Sequence, residues 1–225
     1  MELGKSFTYI FQDKRWLTKV LVGWLVSLVP ILNFAFTGFV TQTIRNVEQK
    51  LEDPMPEWDD FGKKFMLGFY MWVAGVVYAL PLILLSLIFV IPAAVAGDSN
   101  SDVVTSLFAG TAVVFSCLAF IYGLALTLFM PAMNINLARK ETFGSVFEVG
   151  QFLKIFRANT GDYLIAWIMT IVWSIVISLV LGVIIVLLSW TICIPWVLAG
   201  MIGVIIPLVY AHLFGQVAAR ELNAA

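Results

Sequence analysis

Charged residues are scarce in this sequence, and long parts of it have none. Only 12% of the 225 residues are Asp, Glu, Lys or Arg, whereas 61% are of apolar types. No charged residue occurs in residues 65–97, 103–138 or 163–219. Each run is longer than the about 20 residues that a helix needs to cross a hydrocarbon core. Because the runs lack strand-like alternation, the sequence predicts an all-α, polytopic integral membrane protein rather than a barrel.

The sequence also has few cysteines, a single histidine and no excess of positive charge. Each of these features argues against a class of function. The net charge of −1 provides no basic field for nucleic acid. Cys117 and Cys193 lie in apolar runs without Cys-x-x-Cys spacing, which favours small buried side chains over a disulfide or metal site. His212 is the single histidine, and no catalytic or phosphate-binding motif accompanies it. We therefore expect no enzyme activity, no cofactor and no metal.

The apolar runs predict two pairs of transmembrane helices. The first pair is expected in residues 65–138, with a polar turn at 97–102, and its second helix is expected to end near Asn134. The second pair is expected in residues 163–225, with a turn at 189–195. Pro81 and Pro131 lie within the first pair and are candidate structural hinges.

The N-terminal segment, residues 1–64, contains an apolar stretch that can be interpreted in two ways. Pro30 divides residues 17–44 into arms of about 21 Å, which is short for a full crossing. The stretch is either one kinked span or a helical hairpin whose candidate hinge is Pro30 with Asn33. A hairpin could be re-entrant or could consist of two short full spans. Lys19, near its start, is expected to extend back to the lipid headgroups.

The distribution of basic residues favours the hairpin. All 13 Lys and Arg residues lie before residue 20, in residues 45–64, in residues 139–157 or in the C-terminal tail. A hairpin places all of them on one side of the membrane, which the positive-inside rule identifies as the cytoplasm. The predicted topology is therefore a cytoplasmic-side hairpin plus four transmembrane helices, with both termini cytoplasmic.

Two amphipathic helices are predicted on this cytoplasmic side, in residues 2–12 and 139–162. The first lies either on the membrane surface or on the protein's own cytoplasmic face. The second is predicted to have one apolar stripe, a capping box formed by Ser145 and Glu148, and an end at Gly161. The stripe consists of Phe143, Val146, Phe147, Gly150, Leu153 and Phe156. Residues 7–11 and 152–156 also resemble each other, which indicates either an ancient duplication or the ordinary composition of interfacial helices.

The most distinctive local sequence is the acidic segment around Glu57, Trp58, Asp59 and Asp60. The three carboxylates are expected in the first turn of a helix, where they complement its dipole, and the indole is expected at the headgroups. These four residues are candidate contacts for a protein partner or lipid, together with Lys154 and Arg157 on the second amphipathic helix. The alternative is that the acidic segment only positions the following span.

Several motifs resemble those of the prokaryotic membrane family called domain of unknown function 4013. The resemblance covers nearly the whole chain, and its most specific part is the Pro-Glu-Trp-Asp-Asp element. It implies a multi-pass protein of the prokaryotic plasma membrane and assigns no activity. The motifs are Asp13 with Trp16-Leu17, Val29-Pro30-Ile31, Ile44-Arg45-Asn46-Val47, Pro56-Glu57-Trp58-Asp59-Asp60-Phe61, Asp162-Tyr163-Leu164 and Ala211-His212-Leu213-Phe214-Gly215-Gln216.

The polar residues gather on the predicted cytoplasmic face, whereas the predicted membrane interior has almost no ionisable group. This pattern favours a non-enzymatic accessory or scaffold component that binds a protein partner, a second copy or membrane lipids. The alternative is a transporter or channel for a neutral or lipidic solute, with Asn134 and Asn136 among its polar contacts. Small-xxx-small pairs that begin at Gly75, Ala119 and Ala199 predict close helix contacts within or between chains.

Overall fold

The computed structural model describes residues 2–96, 102–191 and 193–224, and within them it is helical with no strand. The α-helices are α1 (Lys5–Gln12), α2 (Trp16–Ser27), α3 (Asn33–Glu48), α4 (Phe61–Ala96), α5 (Asp102–Lys140), α6 (Val149–Ala158), α7 (Thr160–Leu187) and α8 (Cys193–Ala224). A 3-10 helix, Phe143–Phe147, precedes α6. The chain divides into a larger unit, Met1–Trp72 with Pro131–Ala225, and a smaller unit, Val73–Met130.

Four of these helices are long and apolar enough to cross a membrane. They comprise Phe61–Leu87, Gly110–Lys140, Thr160–Leu187 and Ile194–Glu221. Their outward side chains are apolar; Leu179 and Val186 on α7, for example, are 65% and 71% exposed. Such surfaces are stable in lipid and unfavourable in water. The predicted all-α membrane fold is therefore confirmed. The predicted turn at 97–102 lies almost entirely outside the described residues.

The stretch around Pro30 forms two helices and a turn rather than one kinked helix. Helix α2 has 12 residues and α3 has 16, which correspond to about 18 and 24 Å. Pro30 lies in the turn at 28–32, and Asn33, the first residue of α3, donates its N–H to the Val29 carbonyl at 2.9 Å. The helices contact each other, and both contact α8. The side chains at the tip are apolar and exposed, namely Leu28, Val29, Ile31 and Leu32.

Two glycines allow α3 and α4 to touch through their backbones. A Cβ atom on Gly38 would lie 1.7 Å from the Lys64 carbonyl oxygen, and one on Gly68 would lie 1.8 Å from the Phe34 carbonyl oxygen. The contact is reciprocal, since each helix supplies one glycine and one carbonyl four residues apart. Any side chain at either glycine would force the helices apart.

The small-xxx-small pairs named from the sequence do not mark such contacts. Among the described residues, no atom lies within 4 Å of a Cβ built on Gly75, Gly123 or Gly203. These three glycines therefore make no close contact with another described helix, and contact between chains, the other alternative, stays a prediction. Spacing alone could not identify the correct glycines, because the partner of each is a carbonyl group on another helix.

Both amphipathic helices pack against α8. Helix α1 buries Ser6, Tyr9 and Ile10 and leaves Phe11 43% exposed, which favours the expectation that it lies on the protein's own face. Helix α6 buries Phe152 and Ile155. Ile10 and Ile155, which correspond in the two similar segments, are thus both buried.

The predicted details of the second amphipathic helix are wrong. The 3-10 helix and the separate start of α6 shift the helical register, so the expected continuous stripe does not form. Ser145 donates its hydroxyl to the Thr142 carbonyl, and the Glu148 carboxylate accepts from Lys140 and Asn136, so no capping box forms. Helix α6 ends at Ala158, and Gly161 lies inside α7.

Candidate functional site

Ion pairs join the four basic segments of the sequence at one end of the larger unit. The pairs are Arg15 and Lys19 with Glu57, Arg45 and Lys63 with Glu141, Arg139 with Glu48 and Glu221, and Arg220 with Asp162. They bring together the start of α2, the end of α3, the start of α4, the end of α5, the start of α7 and the end of α8. We call this surface the polar end. The basic segments therefore share one end of the helices, as the charge distribution predicts.

Lys19 is one of the deeply buried charges of the polar end. Its side chain is 5% exposed and that of Asp13 is 7% exposed, and the two groups meet at 2.5 Å. The Lys19 ammonium also donates to the Met55 carbonyl at 2.8 Å and lies 3.0 Å from the Glu57 carboxylate. The expectation that Lys19 extends to the headgroups is wrong, because three oxygens of the protein itself replace water around its ammonium group.

The acidic segment is folded onto α2 rather than presented from a helix. Helix α4 begins at Phe61, so Glu57, Asp59 and Asp60 precede its first turn, contrary to the sequence prediction. The Trp58 indole donates its Nε1–H to the Lys19 carbonyl at 3.0 Å and stacks on Phe39, with the ring centroids 4.6 Å apart. Trp58 therefore packs against the hairpin.

The candidate partner contacts differ in how many groups of the protein they already bind. Glu57 is paired with Arg15 and Lys19. Asp59 is exposed, and its carboxylate lies 3.3 Å from the Lys64 ammonium, which also donates to the Asp59 carbonyl. Asp60 is exposed and has a φ of 44°, a left-handed conformation that Asp and Asn tolerate better than most residues.

Lys154 and Arg157 lie on the exposed side of α6. In the part of the chain that the structure describes, no ion pair joins either one to the acidic segment or to another carboxylate. Asp59, Asp60, Lys154 and Arg157 are therefore the candidate residues that the polar end leaves accessible, whereas Glu57 and Trp58 serve its internal packing.

The pairing around Arg139 was not predicted from the sequence. Arg139 donates to the Glu48 carboxylate at 2.7 Å, to the Glu221 carboxylate at 3.0 Å and to the Ala218 carbonyl at 3.3 Å. Burial raises the pKa of Glu48, and the charge of Arg139 only partly offsets this shift. This cluster links α3, α5 and α8. The only signal of this cluster in the sequence is the presence of carboxylates near three helix ends.

Two glutamates in the connection from α5 to α6 have lowered pKa values. Burial raises the pKa of Glu141, but hydrogen bonds and charge from Lys63 and Arg45 outweigh it and bring the pKa below its ordinary value. The pKa of Glu148 is lowered by hydrogen bonds from Lys140 and Asn136. Both groups are therefore held in the charged form, which stabilises the polar end near neutral pH.

Asn134 and Asn136, the polar contacts of the transport hypothesis, are engaged within the fold. Asn134 accepts the Thr41 hydroxyl at 2.8 Å, and Asn136 donates to the Ser145 carbonyl at 2.8 Å. Helix α5 continues past both residues to Lys140, six residues beyond the predicted end. The hinge candidates Pro81 and Pro131 likewise lie inside α4 and α5 without ending them.

A cavity of about 550 Å³ opens in the polar end between α1, the segment after α3 and the end of α8. It is lined by Glu2, Lys5, Tyr9, Gln12, Asp13, Val47, Lys50, Leu51, Glu52, Asp53, Pro54, His212, Gln216, Ala219 and Arg220. The Tyr9 hydroxyl donates to the Leu208 carbonyl at 2.9 Å, and burial raises the pKa of Tyr9. His212 is 4% exposed and stacks on Tyr9 with ring centroids 4.5 Å apart. His212 therefore has the packing role that its isolation in the sequence favours. No group of three potential metal ligands occurs in the described residues.

Comparison with known proteins gives a family but no activity. No curated protein and no solved structure matches the chain. A model of the family described as protein of unknown function, DUF4013, matches residues 22–186. The match includes most of the hairpin, the acidic segment and α4 to α6, whereas the similar motifs around Asp13 and His212 lie outside it. Because the match covers well over half of its length, the chain belongs to the DUF4013 family.

Proposed function

We propose that the protein is a non-enzymatic membrane component that docks a partner protein on its polar end. The observation that carries the proposal is the division of charges there. Most are paired with neighbours within the chain. Asp60, Lys154 and Arg157 are exposed and make no ion pair with the described residues, and Asp59 is exposed although it contacts Lys64. Exposed charges at an interface contribute to its specificity and its association rate.

In this proposal the polar end faces the cytoplasm of a prokaryotic cell and both termini lie on that side. The hairpin enters and leaves from the same side, since α2 starts and α3 ends at the polar end. Helix α2, about 18 Å long, does not reach across a hydrocarbon core of about 30 Å. The apolar tip at residues 28–32 then lies in lipid, as a re-entrant hairpin requires, and the larger unit's basic residues attract the anionic lipids of the inner leaflet.

The contacts of Asn134 and Asn136 weigh against the transport alternative. A transported solute would have to displace the Thr41 hydroxyl or the Ser145 carbonyl from these amides. Reconstituted vesicles that carry a neutral or lipidic solute across the membrane would nevertheless revive this alternative, if exchange of either asparagine abolished the flux.

Co-purification tests the docking proposal. The variants Asp59→Asn with Asp60→Asn, and Lys154→Gln with Arg157→Gln, remove charge with little change of shape, and Asn tolerates the left-handed backbone at position 60. The matched control is Lys14→Gln, an exposed cation outside the proposed surface. A stoichiometric partner that the control retains and both double variants lose supports the proposal. A wild-type protein that purifies without any stoichiometric partner contradicts it.

A further inference from the structure

The cavity in the polar end contains charges that the fold itself does not neutralise. Several lining charges are already paired, as Glu2 with Lys5, Asp13 with Lys19, and Arg220 with Asp162. Lys50, Glu52 and Asp53 make no ion pair with the described residues, and all three are exposed on the turn that follows α3. The cavity therefore presents one cation and two anions from a short segment on one of its walls.

His212, which also lines the cavity, supplies a hydrogen-bond donor, and the neighbours of its ring identify the nitrogen that carries the proton. The backbone N–H of Glu2 donates to Oε1 of Gln216 at 2.8 Å, which fixes the orientation of that amide. The Gln216 Nε2–H then donates to Nδ1 of His212, the two nitrogens being 2.9 Å apart. Because Nδ1 accepts, the neutral imidazole carries its proton on Nε2.

This Nε2–H group is not enclosed by the described residues, and His212 lines the cavity. It makes no hydrogen bond with the described residues, and it is not among their buried unpaired polar atoms, although the His212 side chain is almost fully buried. Stacking on Tyr9 and the bond to Gln216 hold the ring in place. An accessible donor with a fixed direction and no partner among the described residues is suited to an acceptor group on a ligand.

A ligand with a single charge would be attracted by one wall group and repelled by another. A phosphate would be bound by the Lys50 ammonium and the His212 Nε2–H but repelled by Glu52 and Asp53. An ammonium group placed toward the carboxylates removes this repulsion. The apolar lining of Val47, Leu51, Pro54 and Ala219 can cover the methylenes between the two charges, and the volume lies within the range of small-molecule sites.

We propose that this cavity binds a small zwitterion that carries an ammonium and a phosphate group, as the ethanolamine phosphate headgroup of a phospholipid does. The source is either a membrane lipid at the headgroup level or a free cytoplasmic molecule of the same chemistry. The inference does not depend on a partner protein, because Asp59, Asp60, Lys154 and Arg157 do not line the cavity.

Titration calorimetry with soluble phosphoethanolamine tests the ligand chemistry on the purified full-length protein. We expect saturable binding of one molecule per chain, and at least tenfold weaker binding of inorganic phosphate alone and of ethanolamine alone. Lys50→Asn suits the left-handed backbone at this position, where φ is 58°. This variant and Glu52→Gln with Asp53→Asn should each weaken binding about tenfold, the effect of one charge-assisted contact. Lys14→Gln should bind as the wild type does.

His212→Phe retains the stacking on Tyr9 and removes the Nε2–H donor, so this variant should also bind the ligand more weakly. If it does not fold, the variants of the exposed turn, Lys50→Asn and Glu52→Gln with Asp53→Asn, test the site instead.

Mass spectrometry of protein from nanodiscs of phosphatidylethanolamine and phosphatidylglycerol shows whether the ligand comes from a membrane lipid or is a free molecule. One retained phosphatidylethanolamine that Lys50→Asn loses indicates the lipid, and calorimetric binding without retained lipid indicates a free molecule. The inference is wrong if the folded wild type binds neither phosphoethanolamine nor phosphatidylethanolamine. It is also wrong if all variants bind the ligand as tightly as the wild type does. Retention of a partner protein by Lys50→Asn would separate this site from the docking surface.

Discussion

Replacement of Lys19 by Met should be among the most destabilising single changes in the polar end. The substitution keeps the length of the aliphatic chain but removes the ammonium group that lies 2.5 Å from Asp13. The Asp13 carboxylate is 7% exposed and would stay buried without a cation. Breaking a buried pair from one side costs about 3–5 kcal/mol. We expect a loss of that size, since the Met55 carbonyl also loses its donor.

Denaturant titration of the protein in detergent, followed by tryptophan fluorescence, measures this loss. Lys14→Met is the control, because Lys14 is an exposed neighbour without an ion pair in the described residues; it should change the free energy of unfolding by less than about 0.5 kcal/mol. Adding Asp13→Asn to the Lys19→Met variant should restore part of the stability, because the amide oxygen can still accept the Arg15 N–H. A Lys19→Met protein as stable as the control would contradict the buried pairing of Lys19 with Asp13. A double variant that loses more free energy of unfolding than the two single variants together would contradict it as well.

Two further predictions concern the helix crossing and the response to acid. Gly38→Ala should destabilise the protein by at least about 3 kcal/mol, because the new methyl group would meet the Lys64 carbonyl. The control Gly75→Ala has open space around the new methyl group, so it should be neutral or slightly stabilising in thermal unfolding. Equal effects of the two substitutions would contradict the close crossing of α3 and α4. Glu141 has a lowered pKa in the folded state, so its stabilising contribution is present above the pKa of a free glutamate and is lost as the pH falls through the lower folded value. Thermal unfolding between about pH 3 and 7 should therefore show less acid sensitivity in Glu141→Gln than in the wild type or in Glu52→Gln, and identical curves would contradict the pairing.

The composition and the charge distribution were enough to predict most of the architecture. Apolar runs give the spans because lipid leaves the backbone few alternatives. The gathering of basic residues in four segments predicted that the start and the end of the hairpin share one side, and the contacts between Lys19 and the segment at Met55 and Glu57 agree with this prediction. The turn at Pro30 was found because proline cannot continue the hydrogen bonding of the first arm.

The partners of individual side chains could not be predicted in the same way. The sequence places Lys19 and Trp58 at the headgroups because hydropathy reports only distance from the membrane centre, whereas their partners come from segments about 40 residues apart. The stripe on α6 was misplaced because a 3-10 turn breaks the helical period. The cavity depends on the amide of Gln216 and the N-terminus meeting in space, and no local motif marks that contact.

The side of the membrane on which residues 14 and 52 lie distinguishes a hairpin from a single crossing of residues 17–44. Single cysteines at Lys14 and Glu52, one before and one after the hairpin, can be placed in a variant without Cys117 and Cys193 and labelled with an impermeant maleimide in intact cells and in inverted vesicles. A third cysteine at Asn100 reports the opposite side. If residues 17–44 form a hairpin, positions 14 and 52 should react only in inverted vesicles and position 100 only in intact cells. Positions 14 and 52 on opposite sides would mean that residues 17–44 cross the membrane once, and would contradict the hairpin and the single polar end.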